Sequence, residues 1–229
     1  MAEIHPANLE LLHSSPYRAF IFDCDGTVGD TMGLHYAAWK RTLRDFAVDV
    51  DVSWDEFCAE GGRDMSISVR KYTERCGHSI DGERFLKHMG NLYERCLSYH
   101  LTVLPVKPVV SFICAEERPM AIASSGFRKN VHSVIDGIGL TKKIRAVVTR
   151  EDVTREGVVH AKPEPDLFLM AAERLAADPE ECLVFGDSPL DGQAAEAAHM
   201  DFFRVTQKWW NLSLREFDWD RVEVLPSGN

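Results

Sequence analysis

The chain has 229 residues, of which 45% are hydrophobic, and its formal net charge is -10 at pH 7. This length suffices to bury a full core, as one domain or with a smaller unit attached, and the acidic balance argues against a general nucleic-acid-binding protein. The chain shows no apolar run of about 18 residues, so we expect no membrane-spanning helix and no binding to membranes. It shows no secretory signal and no metal-binding spacing among its six cysteines, so we expect a cytoplasmic protein with reduced thiols.

The first predicted element is a short buried strand, Tyr17–Asp23, which an acidic turn follows directly. Residues 23–27 read Asp-Cys-Asp-Gly-Thr, so Asp23 and Asp25 lie two positions apart where the strand ends. Open parallel α/β sheets bind ligands at this end of their strands. A carboxylate there can act as nucleophile, general acid or base, or metal ligand, and a cation relieves the repulsion between two so close. The ordinary alternative is an acidic turn exposed to solvent.

The next ninety residues carry helical periodicity and no convincing strand. The predicted helices are Met32–Phe46, Trp54–Ala59, Met65–Cys76, Gly82–Tyr99 and Val106–Glu116. We expect the first four to form a helical unit inserted between the first strand and the second. Pro105 and Pro108 mark the point where the chain returns to the main domain.

Strands and helices alternate after residue 118. The predicted strands are Pro119–Ser124, Ile144–Thr149, Cys182–Asp187 and Asp201–Val205, and the predicted helices are Phe127–Ile138, Pro165–Ala177 and Leu190–His199. Short apolar strands in such an alternation indicate a parallel sheet that is covered on both faces. The predicted fold class is therefore α/β, with a doubly wound, Rossmann-like core and an inserted helical unit.

Three further motifs place polar residues at or near the ends of these strands. Ser124 and Ser125 precede a glycine and a helix, where backbone N–H groups favour anions. Lys162 is held between prolines in Lys-Pro-x-Pro and suits a single positive charge directed at a phosphate or a carboxylate. Asp187 and Asp191 begin the last helix and offer oxygen ligands for magnesium. Taken singly, Ser-Ser-Gly before a helix is more often an N-cap, and a lone Lys-Pro is usually a solvated loop. The two aspartates either complete a magnesium site or merely cap the helix.

Together, in this order and spacing, the four motifs resemble the haloacid dehalogenase superfamily from Phe20 to about Phe203. The helical insertion is similar to the α-helical cap of the subgroup that contains β-phosphoglucomutase and small sugar-phosphate phosphatases. The resemblance implies a core of residues 1–31 and 106–229 and a cap of residues 32–105. Dehalogenases themselves are disfavoured, because they lack the second aspartate that this chain has at Asp25.

The resemblance also implies a mechanism. Asp23 would attack the substrate phosphorus to give an aspartyl-phosphate, and Asp25 would act as general acid and then as general base. Magnesium would be held by Asp23, by the main-chain carbonyl of Asp25 and by Asp187, with Asp191 as an outer or occasional ligand. The remaining phosphoryl oxygens would be bound by the hydroxyl of Ser124, the N–H of Ser125 and Lys162.

The residues that select the substrate are expected in the cap. Arg63, in a Gly-Gly-Arg-Asp turn, and His35 are candidates for contacts with the substrate, and a surface arginine and a structural histidine are the alternatives. The predicted function is a magnesium-dependent phosphatase of a small phosphorylated metabolite, a sugar or polyol phosphate. A phosphoglucomutase-like isomerase and a non-catalytic regulator on the same fold are the alternatives. The sequence leaves open whether the protein is a monomer or a dimer, and what Trp209 and Trp210 do.

Overall fold

The computed structural model describes residues 9–60, 65–77, 79–99 and 106–206. The strands are β1 (Ala19–Phe22), β2 (Met120–Ala123), β3 (Ala146–Val148), β4 (Thr154–Arg155), β5 (Val158–Val159), β6 (Cys182–Gly186) and β7 (Asp201–Arg204). Five of them form one parallel sheet in the order β3-β2-β1-β6-β7, and β4 and β5 pair as a separate antiparallel hairpin. The predicted α/β class with a parallel sheet is confirmed.

The helices follow the predicted pattern to within two residues at each end. They are α1 (Met32–Asp45), α2 (Trp54–Ala59), α3 (Met65–Cys76), α4 (Gly82–Tyr99), α5 (Lys107–Ala115), α6 (Arg128–Gly137), α7 (Asp166–Leu175) and α8 (Pro189–Ala197). Short 3-10 turns cover Glu10–Ser14 and Pro179–Glu181. No described helix has the length and apolarity that a membrane span requires.

The centre of the sheet is covered on both faces because β1, β2 and β6 are buried throughout. All four residues of β1 are fully buried. Phe20 and Phe22 pack in a cluster with side chains of α5 and α6, whereas Ala19 and Ile21 pack with α7 and α8 on the opposite face. Successive residues of a strand point to opposite faces, so the run Ala-Phe-Ile-Phe supplies one face with bulk and the other with smaller groups.

Helices α1 to α4 pack on one another and carry aromatic side chains into a shared interior. Trp39 of α1 lies near Phe57, Tyr72 and Phe85, with ring centroids 6.5, 5.4 and 5.3 Å away. Between α1 and α5 the described residues contain no strand. The division into a core of residues 1–31 and 106–229 and a cap of residues 32–105 stays a prediction.

Candidate active site

Three polar residues follow three neighbouring strands of the parallel sheet. Asp23 follows β1, Ser124 follows β2 and Asp187 follows β6, and β1 pairs directly with both of the other strands. The carboxyl ends of parallel strands meet at one edge of the sheet. The structure therefore brings the first, second and fourth sequence motifs together, as their positions in the chain predicted.

The turn after β1 folds back on itself and places Thr27 beside the residue that follows β6. Gly26 has φ = +83°, a conformation that L side chains rarely adopt, and the N–H groups of Val28 and Gly29 both donate to the carbonyl of Cys24 at 3.0 Å. The buried hydroxyl of Thr27 lies 3.3 Å from the Asp187 carboxylate, to which it donates. Thr27 thus joins the first motif to the fourth.

Lys162 lies at the centre of the buried charges and is 1% exposed. Its Nζ is 2.5 Å from Oδ1 of Asp23 and 2.7 Å from Oδ1 of Asp191. Burial lowers the pKa of Lys162, but the charges of Asp191 and Asp23 outweigh it and hold the pKa above its usual value. The ammonium group is therefore charged and bridges two carboxylates.

Asp191 has partners for both of its carboxylate oxygens. Oδ2 accepts from the N–H of Ser188 at 2.9 Å and from its hydroxyl at 2.7 Å, and the Asp191 N–H donates back to Ser188 Oγ, which forms a capping box at the start of α8. Oδ1 meets Lys162. A Cβ atom added to Gly186 would lie 2.6 Å from Cγ of Asp191, so only glycine permits this approach of β6 and α8. The role of Asp191 as a metal ligand stays a prediction.

The carboxylates outnumber the cations in this part of the site. Oxygens of Asp23, Asp187 and Asp191 all lie within 4.8 Å of one another. Burial raises the pKa of Asp23 to about 7, although Lys162 lowers it, and burial together with the charges of Asp191 and Asp23 raises that of Asp187 well above its usual value. An oxygen-only donor set, with Asp23 and Asp191 buried and Asp187 half-buried, carries excess negative charge and fits a hard divalent cation such as Mg²⁺.

Asp25 is held by residues that follow the turn, on or beside two of the inserted helices. Its Oδ1 accepts from the Thr31 hydroxyl at 2.5 Å and from the Tyr93 hydroxyl at 3.1 Å, and His35 Nε2 lies 3.1 Å away. The rings of His35 and Tyr93 stack at 3.7 Å and 14°. Burial raises the pKa of Asp25, but His35, Thr31 and Tyr93 together lower it to about 2.

One cavity of about 810 Å³, counting the part that is open to solvent, is lined by Asp23, Asp25, His35, Asp187 and Asp191. On the sheet side it reaches Asp23, Asp187 and the Ser124–Gly126 turn, and on the side of the inserted helices it reaches His35 and Trp39. Ser124 Oγ accepts from the Gly126 N–H at 3.0 Å, whereas Ser125 Oγ is buried without a hydrogen-bond partner. The arrangement has the mixed polar and aromatic lining of a small-ligand site.

A family model describing haloacid dehalogenase-like hydrolases matches residues 17–199. The chain belongs to this family. The resemblance inferred from the four motifs is thereby confirmed, and the matched segment contains every site residue named so far.

Similar proteins of this hydrolase family include enzymes of phosphate chemistry. Fructose-1-phosphate phosphatase YqaB of Escherichia coli is 29% identical over 185 residues, which cover 81% of this chain and 94% of that protein. β-Phosphoglucomutase of Bacillus subtilis is 25% identical over 195 residues, or 80% of each chain. The crystal structure of a hydrolase from Pseudomonas syringae is 30% identical, covers 90% of this chain and 89% of its own, and has a TM-score of 0.67. The predicted enzyme class, phosphoric monoester hydrolase, is confirmed by the family and the phosphatase relative.

The structure of this protein adds Tyr93 and Thr31 to the predicted site, and one predicted site residue lies outside the described residues. Tyr93 was not predicted, since a tyrosine on one face of a long amphipathic helix has the same periodicity as a core residue. Arg63, the candidate for substrate contact, lies in the segment 61–64, which is outside the described residues. Trp209 and Trp210 are also outside the described residues. His35 lines the cavity, and its nearest charged partner is Asp25.

Proposed function

We propose that this hydrolase is a magnesium-dependent phosphatase that cleaves a small sugar or polyol phosphate through an aspartyl-phosphate intermediate. The observation that carries the proposal is the pairing of Asp23 with buried Lys162 at 2.5 Å. A second carboxylate, that of Asp25, follows Asp23 by two residues. The name of the Escherichia coli relative supports a phosphorylated sugar as substrate.

Asp23 is the proposed nucleophile. Lys162 binds one of its oxygens and favours the ionised form, so the other oxygen is left to attack phosphorus in line with the departing alkoxide. The attack forms an Asp23 O–P bond and breaks the bond between phosphorus and the substrate oxygen. The hydroxyl of Ser124 and the N–H and hydroxyl of Ser125 would bind the remaining phosphoryl oxygens.

Asp25 is the proposed general acid and base. It would donate its proton to the alkoxide and then, as a carboxylate, take a proton from the water that hydrolyses the aspartyl-phosphate. In the site without substrate its pKa is about 2, which suits the base. A phosphate dianion bound beside it adds negative charge and raises the pKa, which favours the protonated acid.

Magnesium would be held by Asp23, Asp187 and the main-chain carbonyl of Asp25. The cation would offset the negative charge that gathers on the phosphoryl oxygens. The chain's own contribution is the set of three carboxylates and Lys162, which keeps Asp23 paired in the absence of a metal ion.

Chelation with EDTA is expected to stop phosphate release, and added Mg²⁺ is expected to restore it. In a thermal melt at pH 8, Mg²⁺ should raise the Tm of the wild type, because a cation that binds only the folded state stabilises it. The shift should shrink in Asp187→Asn and persist in Asp136→Asn, a change at an exposed carboxylate that belongs to neither group of possible metal ligands among the described residues. Full turnover in EDTA would contradict the metal requirement.

Removal of the Tyr93 hydroxyl is expected to impair the acid step because Asp25 loses a group that positions it, although loss of this hydrogen bond by itself raises the pKa of Asp25. Tyr93→Phe leaves the ring stacked on His35 but removes the hydrogen bond to Asp25, so kcat for an alkyl phosphate should fall about tenfold, or about 1.4 kcal/mol. The kcat for p-nitrophenyl phosphate should change little, since its leaving group needs no proton. Tyr36→Phe, which breaks a buried bond to the Val52 carbonyl instead, is the matched control. Equal losses on both substrates would argue against this positioning role.

The proposed function is tested by a phosphate-release screen over sugar, polyol and nucleotide monophosphates. For a phosphatase, orthophosphate should appear at the rate of substrate loss without an added bisphosphate. The similarity to β-phosphoglucomutase makes an isomerase the second candidate. An isomeric phosphate that forms without orthophosphate and is accelerated by catalytic bisphosphate would replace the phosphatase assignment with the mutase.

A further inference from the structure

Buried polar atoms without a hydrogen-bond partner are confined to the wall of one cavity in the described part of the chain. There are four such side-chain atoms, namely His35 Nε2, Trp39 Nε1, Ser125 Oγ and Asp191 Oδ1, and all four residues line the active-site cavity. His35 and Asp191 still have a charged neighbour, at 3.1 and 2.7 Å. Ser125 lies at the end proposed for the phosphoryl group, so Trp39 is the member of the set that the proposed mechanism does not use.

The Trp39 N–H needs an explanation beyond packing. The side chain is 1% exposed and lies among Phe57, Tyr72 and Phe85. Packing of this kind is equally available to phenylalanine, which buries no polar atom. Leaving a buried donor unpaired costs roughly 1–3 kcal/mol, and most unpaired groups in folded proteins have a specific cause. An acceptor atom on a ligand in the cavity supplies such a cause.

The neighbours of Trp39 in the cavity wall define what such a ligand carries. Ser68 and Tyr72 of α3 are 4% and 2% exposed and line the same cavity. Burial, followed by the charges of Glu56 and Glu60, raises the pKa of Tyr72 to about 12, so its hydroxyl is a neutral donor and acceptor. Indole and hydroxyl groups within an aromatic wall suit sugar hydroxyls, which donate and accept in the same way.

A second anionic group fits this end of the cavity poorly. Among the described residues that line it, there is no lysine or arginine, and Glu60, whose carboxylate pairs with Lys71 at 3.1 Å, is the acidic residue at this end. A distal phosphate would be placed near that negative charge and beside Met32 and Phe57, which provide no compensating interaction.

We propose that Trp39, Ser68 and Tyr72 form the subsite for the leaving group and select a neutral, polyhydroxylated one, with the Trp39 N–H as the specificity-determining donor. The inference rests on the proposed phosphatase function and narrows its substrates to monophosphates of uncharged polyols or sugars. The hydroxyl that meets Trp39 accepts a hydrogen bond, and no bond to phosphorus involves this subsite.

The test compares substrates that differ in hydroxyl groups but share the reacting phosphate. The preferred compound among glucose 6-phosphate, fructose 1-phosphate and sorbitol 6-phosphate is measured beside n-hexyl phosphate and p-nitrophenyl phosphate. Trp39→Phe should lower kcat/KM for the hydroxylated substrate about tenfold, chiefly through KM, as loss of one hydrogen bond to a neutral group predicts. Its effect on n-hexyl phosphate should stay within about twofold. Trp54→Phe, a change outside the described cavity wall, should leave both substrates unaffected.

The outcomes separate the subsite from the reaction. Equal losses on hydroxylated and alkyl substrates, or a wild type that does not prefer the hydroxylated one, would overturn the subsite while hydrolysis of p-nitrophenyl phosphate upholds the phosphatase. Absence of phosphate release from every compound would overturn both. If Trp39→Phe fails to fold in a thermal melt, Ser68→Ala and Tyr72→Phe must show the same selective loss, and unchanged selectivity in both would refute the proposal.

Discussion

Replacing Asp23 with asparagine is expected to lower kcat by at least about 10⁴-fold while the protein remains folded. Asparagine keeps an oxygen near Lys162 but has no carboxylate to attack phosphorus, so the intermediate cannot form. Steady-state release of orthophosphate measures the loss, and trapping of phosphorylated protein by acid quench should succeed in the wild type alone. Asp136→Asn, on the exposed side of α6, is the control. Turnover of the Asp23→Asn variant within tenfold of the wild type would rule out the nucleophilic role.

The same substitution has a predictable effect on stability without metal. The pKa of Asp23 in the folded state is raised to about 7, above its ordinary value near 4. Between these values the unfolded chain releases a proton that the folded chain retains, so wild-type stability falls as pH rises from about 4 to about 7. Asparagine does not titrate. The measurement is the Tm of Asp23→Asn minus the Tm of the wild type, both in EDTA. This difference should rise between about pH 4 and about pH 7 and level off above that. A difference that stays constant from about pH 4 to about pH 8 would contradict the argument.

Replacing Lys162 with methionine is expected to abolish activity and to destabilise the fold by about 3–5 kcal/mol at pH 8, the usual result of leaving buried charges unpaired. Lys162 contacts Asp23 and Asp191, and both carboxylates would lose this partner. The loss should be smaller at pH 5, because carboxylates without a counter-charge take up protons more readily. Urea unfolding at the two pH values measures both quantities.

A surface lysine supplies the control for that experiment. Lys129 pairs with Glu94 at 2.7 Å, but its side chain is 74% exposed, and exposed pairs contribute about 1 kcal/mol at most. Lys129→Met should therefore change stability little, and Asp191→Asn added to Lys162→Met should recover part of the loss. A Lys162→Met protein as stable as the Lys129→Met protein would show that Lys162 does not hold the carboxylates together.

The sheet and the motif positions were predictable because local patterns determine them. Buried parallel strands are short and apolar, and Asp23, Ser124 and Asp187 each follow such a run, so their meeting follows from parallel strand order alone. Tyr93 is different. It lies 68 positions from Asp25, and only the packing of α4 against α1 decides which of its faces reaches the site. The β4–β5 hairpin escaped prediction because strands of two residues are too short to show a period.

The sequence could not predict that Asp191 both caps α8 and pairs with Lys162. A helix cap and a metal ligand are both carboxylates at a helix start, so the residue type cannot distinguish them. The distances to Ser188 and Lys162 establish the cap and the ion pair, whereas the role of Asp191 as a metal ligand stays a prediction.

Gly186 has no side chain to take part in the chemistry, yet its small size lets Asp191 pack against β6. Because β6 meets the start of α8 without room for even a methyl group, the turn between them is tightly packed. This turn carries Asp187 and, at the start of α8, Asp191, and the close packing restricts their movement. Such a turn spares the enzyme the reorganisation of dipoles and charges that a flexible loop would undergo at each phosphoryl transfer. The absence of a side chain at this one position thus acts as a mechanical constraint on the electrostatics of the whole site.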